Sequence, residues 1–308
     1  MDSNNNSSTN KVDVYQIVTD RIISLLEQGT VPWQMPWHDV GIPMNLLSKR
    51  PYRGINLWLL LSLNYERNLF LTWDQLKKIG ASVNAGEHGH VVIYWKTPSK
   101  SNVDDNEKQK QAQMLRYYKV WNISQCKDLP ENIVEPLVQK EHDSILDCEA
   151  IINGMPESPL LVFTGKKAYY DIQKDTVVLP KLKSFKSIES YYATLFHELV
   201  HSTGSEKRLK RKSIAEMAEF GSDMYSLEEL VAELGSAYLS SLAGILNVGI
   251  TNSAAYINGW LGKLKYDKKF IVHASGFAQK GVDFILNHNP STLDVKEEVE
   301  QSEQLSGE

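Results

Sequence analysis

Tyr191-Tyr192-Ala193-Thr194-Leu195-Phe196-His197-Glu198-Leu199-Val200-His201-Ser202-Thr203-Gly204 is the stretch on which the reading of this chain turns. Leu195, Phe196, Leu199 and Val200 recur at helical spacing, so the stretch predicts a helix with one buried side, stopped by Gly204. Residues four apart stack on one face of such a helix. His197 and His201 can therefore reach a single ion, and Glu198 between them points to the water side, where it can act as general base. With 8 His and 22 Glu in 308 residues, chance supplies only about 0.015 such motifs. The pattern therefore reads as a peptidase-type zinc site, not as two surface histidines.

A catalytic zinc takes three protein ligands and leaves one position open. In the extended motif HExxHxxGxxH, Gly204 matches, but the third histidine falls on Lys207, so that arrangement fails. A carboxylate from the next long helix, about Leu227 to Leu246, is the alternative. Glu228, Glu229 and Glu233 lie there among Leu227, Leu230, Val231, Leu234 and Ala237, which argues against a merely solvated face. Glu229 and Glu233 are four apart, so one can ligate while the other supports a ligand histidine from behind. His273 is the runner-up ligand. Mn2+ or Fe2+ could occupy a two-histidine, one-glutamate set as well as Zn2+.

Working outward, short β segments at 160–163, 168–171 and 176–179 precede this helix, and further helices near 256–264 and 268–287 follow the acidic one. The first third mixes helices at 12–28 and 56–67, a helix capped by Thr72 and Gln75, and strands at 91–95 and 117–123. The fold class is α+β with two domains. The expected organisation is a disordered N-terminus at 1–10, a first domain at 11–128, a linker with Pro130 and Pro136 at 129–145, a second domain at 146–290 and an acidic disordered tail at 291–308.

The two parts differ in composition. Six of seven tryptophans lie in the first 121 residues, an asymmetry that suggests two units with different surface roles. Residues 1–128 have a net charge of +3, whereas residues 129–308 have −8. Only the first part leans toward an anionic partner. Single-strand binders combine a basic groove with aromatic faces on which bases stack. Trp33 and Trp37 in a proline-bearing loop, Lys49, Arg50, Tyr52 and Arg53, and Lys96 after Tyr94-Trp95 are the candidate DNA contacts. Trp58 and Trp73 read instead as core. Two cysteines without CxxC spacing, and no signal-like or bilayer-length apolar stretch, predict a cytoplasmic protein with no membrane partner.

The 191–204 segment, Arg208-Leu209, Glu228-Glu-Leu-Val-Ala-Glu-Leu-Gly-Ser-Ala-Tyr238 and Ala254-Ala-Tyr-Ile-Asn-Gly-Trp260 together resemble the zincin-like domain of ArdC-type antirestriction proteins of conjugative plasmids. The resemblance continues through Pro36-Trp37, Tyr52-Arg53-Gly54-Ile55-Asn56, Leu71-Thr-Trp-Asp-Gln75, Gly86-Glu87, Val92-Ile-Tyr-Trp95 and Trp121-Asn-Ile-Ser-Gln125. It implies a single-stranded-DNA-binding domain fused to a zinc metallopeptidase domain, which protects incoming plasmid DNA from the recipient's restriction enzymes. It also implies that the third ligand is the first Glu of Glu229-Leu-Val-Ala-Glu233, with Glu233 in support. Ser202 stands where many members carry Trp, which alters the cleft wall and not the ligands.

Two readings of different class follow. In one, bound single-stranded DNA brings a protein substrate, itself DNA-bound or part of a restriction system, to the zinc site. In the other, the protein is a non-enzymatic coat on the strand and its metal domain is structural. Glu198 favours the first, because a structural zinc has no use for a base there.

Overall fold

A computed structural model of the chain describes residues 12–34, 41–96, 114–134, 143–215, 222–245 and 254–288. The N-terminal part contains α1 (Val14–Glu27), β1 (Met44–Asn45), α2 (Ile55–Leu61), β2 (Leu69–Thr72), α3 (Trp73–Lys78), β3 (Ser82–Val83), β4 (His90–Lys96), β5 (Met114–Asn122) and β6 (Cys126–Lys127). The C-terminal part contains α4 (Ser144–Gly154), β7 (Leu160–Phe163), β8 (Tyr169–Asp171), β9 (Thr176–Leu179), α5 (Ile188–Ser202), α6 (Lys212–Ala215), α7 (Asp223–Leu242), α8 (Ala254–Tyr266) and α9 (Phe270–Ile285). The mixed class and the two-part organisation are those expected.

Local chemistry sets the boundaries. Asp13 accepts from the Gln16 N–H to open α1, and Gly29 at φ +77° closes it. Thr72 and Gln75 form the expected capping box of α3. Ser222 caps α7 ahead of the expected start, which brings Tyr225 onto the helix. The second helix is shorter than its apolar run suggests, because the chain turns after Leu61 and Asn64 adopts φ +54°. Helix α4 is additional to the elements expected; Asp143 caps it by accepting from the Ile145 and Leu146 N–H groups.

In the first part, the sheet runs β1-β2-β5-β4, with β4 and β5 paired antiparallel from His90–Val120 to Lys96–Met114. In the second part it runs β7-β9-β8, parallel between β7 and β9 and antiparallel between β9 and β8. One hydrophobic core nevertheless crosses the boundary between the parts. Ile22, Leu26, Trp33, Leu57 and Trp58 pack in the same cluster as Phe196, Leu199, Val231, Leu234 and Ile271. Polar ties reinforce it: the Thr19 hydroxyl donates to the Lys268 carbonyl at 2.7 Å. A piece ending at residue 128 leaves α1 and α2 without their cover. At the expected linker, the described residues up to 134 are packed: Leu129, Ile133 and Val134 lie against Leu46, Leu71, Leu76 and Ala81.

Candidate metal centre and nucleic-acid interface

Helix α5 turns Leu195, Phe196, Leu199 and Val200, all at most 1% exposed, into the core. That leaves His197, Glu198 and His201 facing a cleft beside α7. The two helices approach closely because residue 235 is glycine: a Cβ on Gly235 would lie 2.7 Å from Val200 Cγ2. Ser236 fixes the register by donating to the Ala193 carbonyl at 2.7 Å.

At this crossing Glu229 meets both histidines. Its carboxylate oxygens lie 3.7 Å from His197 Nε2 and 3.6 Å from His201 Nε2, and the two ring nitrogens are 3.0 Å apart. Ligands about 2.0–2.1 Å from a tetrahedral centre stand roughly 3.3 Å from one another, so the donor set fits a divalent metal ion. Among the described residues it is the one cluster of this kind. His273, the alternative ligand, is elsewhere, with its ring edge-on to Tyr15 at 6.2 Å.

The surroundings orient the ligands. His201 Nδ1 lies 3.2 Å from Glu228 Oε1, and donating there leaves the Nε2 lone pair aimed at the site. Glu228 is buried and also accepts from Arg211 Nε at 3.0 Å, Arg211 Nη2 at 2.6 Å and the Ser213 hydroxyl at 2.6 Å. Burial opposes its charge, yet the His201 hydrogen bond and Arg211 hold its pKa down to about 2. Arg211 in turn donates to the Val200 carbonyl at 2.8 Å and the Thr203 hydroxyl at 2.7 Å, clamping the end of α5. Tyr225 hydrogen-bonds to Glu229 from the preceding turn of α7.

Glu233, expected to support a ligand histidine, accepts from the Tyr256 hydroxyl, and burial pushes its pKa up to about 7. The direct partner of a ligand histidine is Glu228. The four-residue interval to Glu233 picks out Glu229, but nothing in the sequence assigns Glu228 its role, since it points about 100° away on a helix of undetermined phase. Arg211, in a polar connection, carries no sequence signal.

Burial raises the carboxyl pKa of Glu198 above its ordinary value, with His201 and His197 opposing, as suits a proton acceptor working near neutrality. The Tyr170 backbone N–H also reaches Glu198. Tyr170 belongs to β8, which among the described residues pairs only with β9. The β8–β9 hairpin is braced by Asp175, which accepts from the Tyr170 hydroxyl at 2.8 Å and from Arg208 at 2.8 and 3.1 Å. The edge strand β8 therefore runs beside Glu198 and the ligand histidines of α5.

The candidate DNA contacts fare differently. Trp33 is 1% exposed and its indole donates to the Tyr256 hydroxyl at 3.2 Å, so it presents no face for stacking. Tyr52 is buried edge-on to Phe70. Arg53 is paired with Asp283 of α9. Trp33 and Arg53 are contacts to the second part, and Tyr52 belongs to the core of the first part with Leu60, Phe70 and Val92. Trp37 lies outside the described residues. Lys49, Arg50 and Lys96 stay on the surface, Lys49 exposed and the other two half-buried.

Lys49 and Arg50 sit on a tight turn, Lys49 at φ +58°. Asn45 holds the turn by accepting from the Leu47 and Ser48 N–H groups, and it exchanges hydrogen bonds with Gln75 of α3. Helix α3 opens with Trp73, which is 44% exposed and has the Lys77 ammonium 5.9 Å from its ring centroid. Trp73 is thus a surface residue and not core, whereas Trp58, at 2% exposed, is core. Trp95 and Tyr117 are likewise exposed, on β4 and β5.

Residues 12–121 match the family described as the N-terminal domain of anti-restriction factor ArdC, and residues 155–276 match zincin-like metallopeptidases. The uncharacterized protein y4eC of Sinorhizobium fredii is 31% identical over 289 residues, covering 89% of this chain and 91% of the relative. An Escherichia coli protein named DNA primase TraC is 30% identical over 90% of this chain, which spans only 20% of that longer protein. The Mn(II)-bound crystal structure of the antirestriction protein ArdC from plasmid R388 superposes with a TM-score of 0.71 at 32% identity, covering 90% of this chain and 98% of that one. Its metal-free form gives a TM-score of 0.70. With both halves matched in order, and y4eC and the R388 ArdC aligned over nearly their full length, the chain belongs to the ArdC antirestriction family.

Proposed function

We propose that the chain binds single-stranded DNA through its N-terminal surface and hydrolyses peptide bonds of a DNA-associated or restriction-system protein at the metal centre, protecting incoming conjugative plasmid DNA. The observation that carries this reading is the convergence of His197, His201 and Glu229 with Glu198 beside them. Zinc is the preferred ion, with manganese or iron as substitutes. When bound, a divalent ion acidifies water and polarises a carbonyl.

The chain's own residues supply the remainder. A substrate backbone laid along the open edge of β8 adds a strand to the sheet. That places its scissile carbonyl next to Glu198, which takes the proton from water and returns it to the leaving amine. The Glu228–Arg211 pair keeps His201 in the ligating tautomer. On the other part, Trp73 and its neighbour Lys77 offer a face and a charge to an unpaired base, and the Lys49–Arg50 turn offers charge to phosphates. The free thiols Cys126 and Cys148 suit a cytoplasmic site of action, and no described helix is long and apolar enough to cross a membrane.

The test is proteolysis of an unfolded protein by the zinc-loaded full chain, with and without single-stranded DNA, beside Glu198→Gln. The reading expects cleavage that Glu198→Gln loses while it keeps one metal per chain. Equal cleavage by the variant would remove Glu198 from the chemistry.

A further inference from the structure

The metal centre borrows a hydrogen bond from the N-terminal part. Trp33 stands just beyond α1, in a turn that packs against α7, and its side chain is almost fully enclosed. Its indole N–H donates to the Tyr256 hydroxyl of α8 at 3.2 Å, and it also reaches Glu233. The Tyr256 hydroxyl donates to Glu233 Oε2. Glu233 lies one helical turn beyond the ligand Glu229, on the same face of α7. Trp33, Tyr256 and Glu233, from three distant segments, thus form one hydrogen-bonded line from the first part of the chain to the helix face that carries a metal ligand. No local folding requirement explains it, because an apolar trio would fill the same space without burying a carboxylate.

We propose that Trp33 is a positioning residue for the metal centre, holding Glu233 through Tyr256 on the face of α7 that carries the ligand Glu229. This rests on the metal-centre reading above. Trp33 never touches the ion. Its N–H and the Tyr256 hydroxyl anchor the Glu233 carboxylate. Metal affinity is then a property of both parts of the chain, and any ligand that shifts the Trp33 turn changes it. Outer partners of ligand histidines affect affinity by roughly 10–100-fold when removed. Tyr256 and Trp33 act one and two steps further out, so a smaller effect is expected.

The experiment is a titration of the full-length metal-free protein with Mn(II), free ion being counted by electron paramagnetic resonance. It uses wild type, Trp33→Phe, Tyr256→Phe and the double variant, with thermal unfolding of each metal-free protein alongside. Phenylalanine keeps a ring in each place and removes only the donor. Each single variant should bind Mn(II) about three- to tenfold more weakly. The double variant should be no weaker than the worse single one, since both act through Glu233. Losses that multiply in the double variant, or wild-type affinity in both single variants, overturn the proposal. Should Trp33→Phe fail to fold, wild-type affinity in Tyr256→Phe overturns it and a loss there supports it. A wild-type chain that takes up no Mn(II) defeats the metal-centre reading itself, a result separate from equal binding by all four proteins.

Discussion

The metal centre and the proposed DNA face of the N-terminal part are built on opposite plans. At the centre, each group is at least half-buried and tied to another: Glu229 to two histidines, His201 to Glu228, Glu228 to Arg211, Arg211 to the end of α5. At the face, Trp73, Lys77 and the Lys49–Arg50 turn lie at the surface, joined through the Asn45–Gln75 pair beneath them. A tied network holds its geometry before any ligand arrives and fails as a unit when one member goes. A solvent-facing set adapts to a flexible strand and loses affinity piece by piece. The first suits chemistry at a fixed point, the second a partner whose bases vary.

The largest effect should come from a ligand. Glu229→Ala removes one of three protein donors and should weaken metal binding by more than the roughly 100-fold upper range for outer partners, read by calorimetry. A loss no greater than that of Glu228→Ala would place the third ligand elsewhere. Next comes the base. Glu198→Gln should keep the metal and lower any peptidase rate by about 10²-fold or more, checked by elemental analysis beside a cleavage assay.

Glu228→Ala should weaken the metal by about 10–100-fold. It should also destabilise the metal-free protein by about 3–5 kcal/mol, because Arg211 is left buried without its carboxylate. Linkage sharpens this. The folded-state pKa of Glu228 lies below its ordinary 4.5, at about 2. Its contribution is therefore fully present above about pH 4.5 and is lost as pH falls toward 2. Thermal unfolding across that interval should show the loss in wild type and lack this part of it in Glu228→Gln.

What the sequence reveals follows the same division. His197, Glu198 and His201 lie on one helix, where spacing is geometry, and Lys207 excludes the alternative third histidine. Glu229 needs only the next helix and a four-residue interval. Glu228 is hidden because two adjacent glutamates look alike until the helix phase is known, and its partner Arg211 comes from an irregular connection. Trp33, Tyr52 and Arg53 read as DNA contacts because a sequence shows aromatic and basic character but not which surface another part of the chain will cover. Trp73 reads as core for the converse reason: it begins a short capped helix and faces outward. The strands and most helices are legible from their periodicity. Helix α4 is not, because charged residues break its apolar spacing.

The smallest effects belong to the DNA face. Trp73→Ala should weaken single-stranded DNA binding by about 1–3 kcal/mol with little change in salt slope, since stacking is not ionic. Replacing Lys49 and Arg50 together should shallow the log–log slope by about 0.7 for each phosphate no longer neutralised. Both are read by fluorescence anisotropy at several salt concentrations. Trp33→Ala losing affinity without altering the fold, while Trp73→Ala loses none, would return the interface to the buried set.

The central claim is that protection of DNA depends on chemistry at the metal centre and not on coating alone. Conjugative transfer of an unmodified plasmid into a restricting recipient tests it directly, with donors carrying either wild type or Glu198→Gln. The account predicts that Glu198→Gln keeps its metal and its single-strand affinity and loses protection. Protection by Glu198→Gln equal to wild type would contradict it and leave the chain a passive shield.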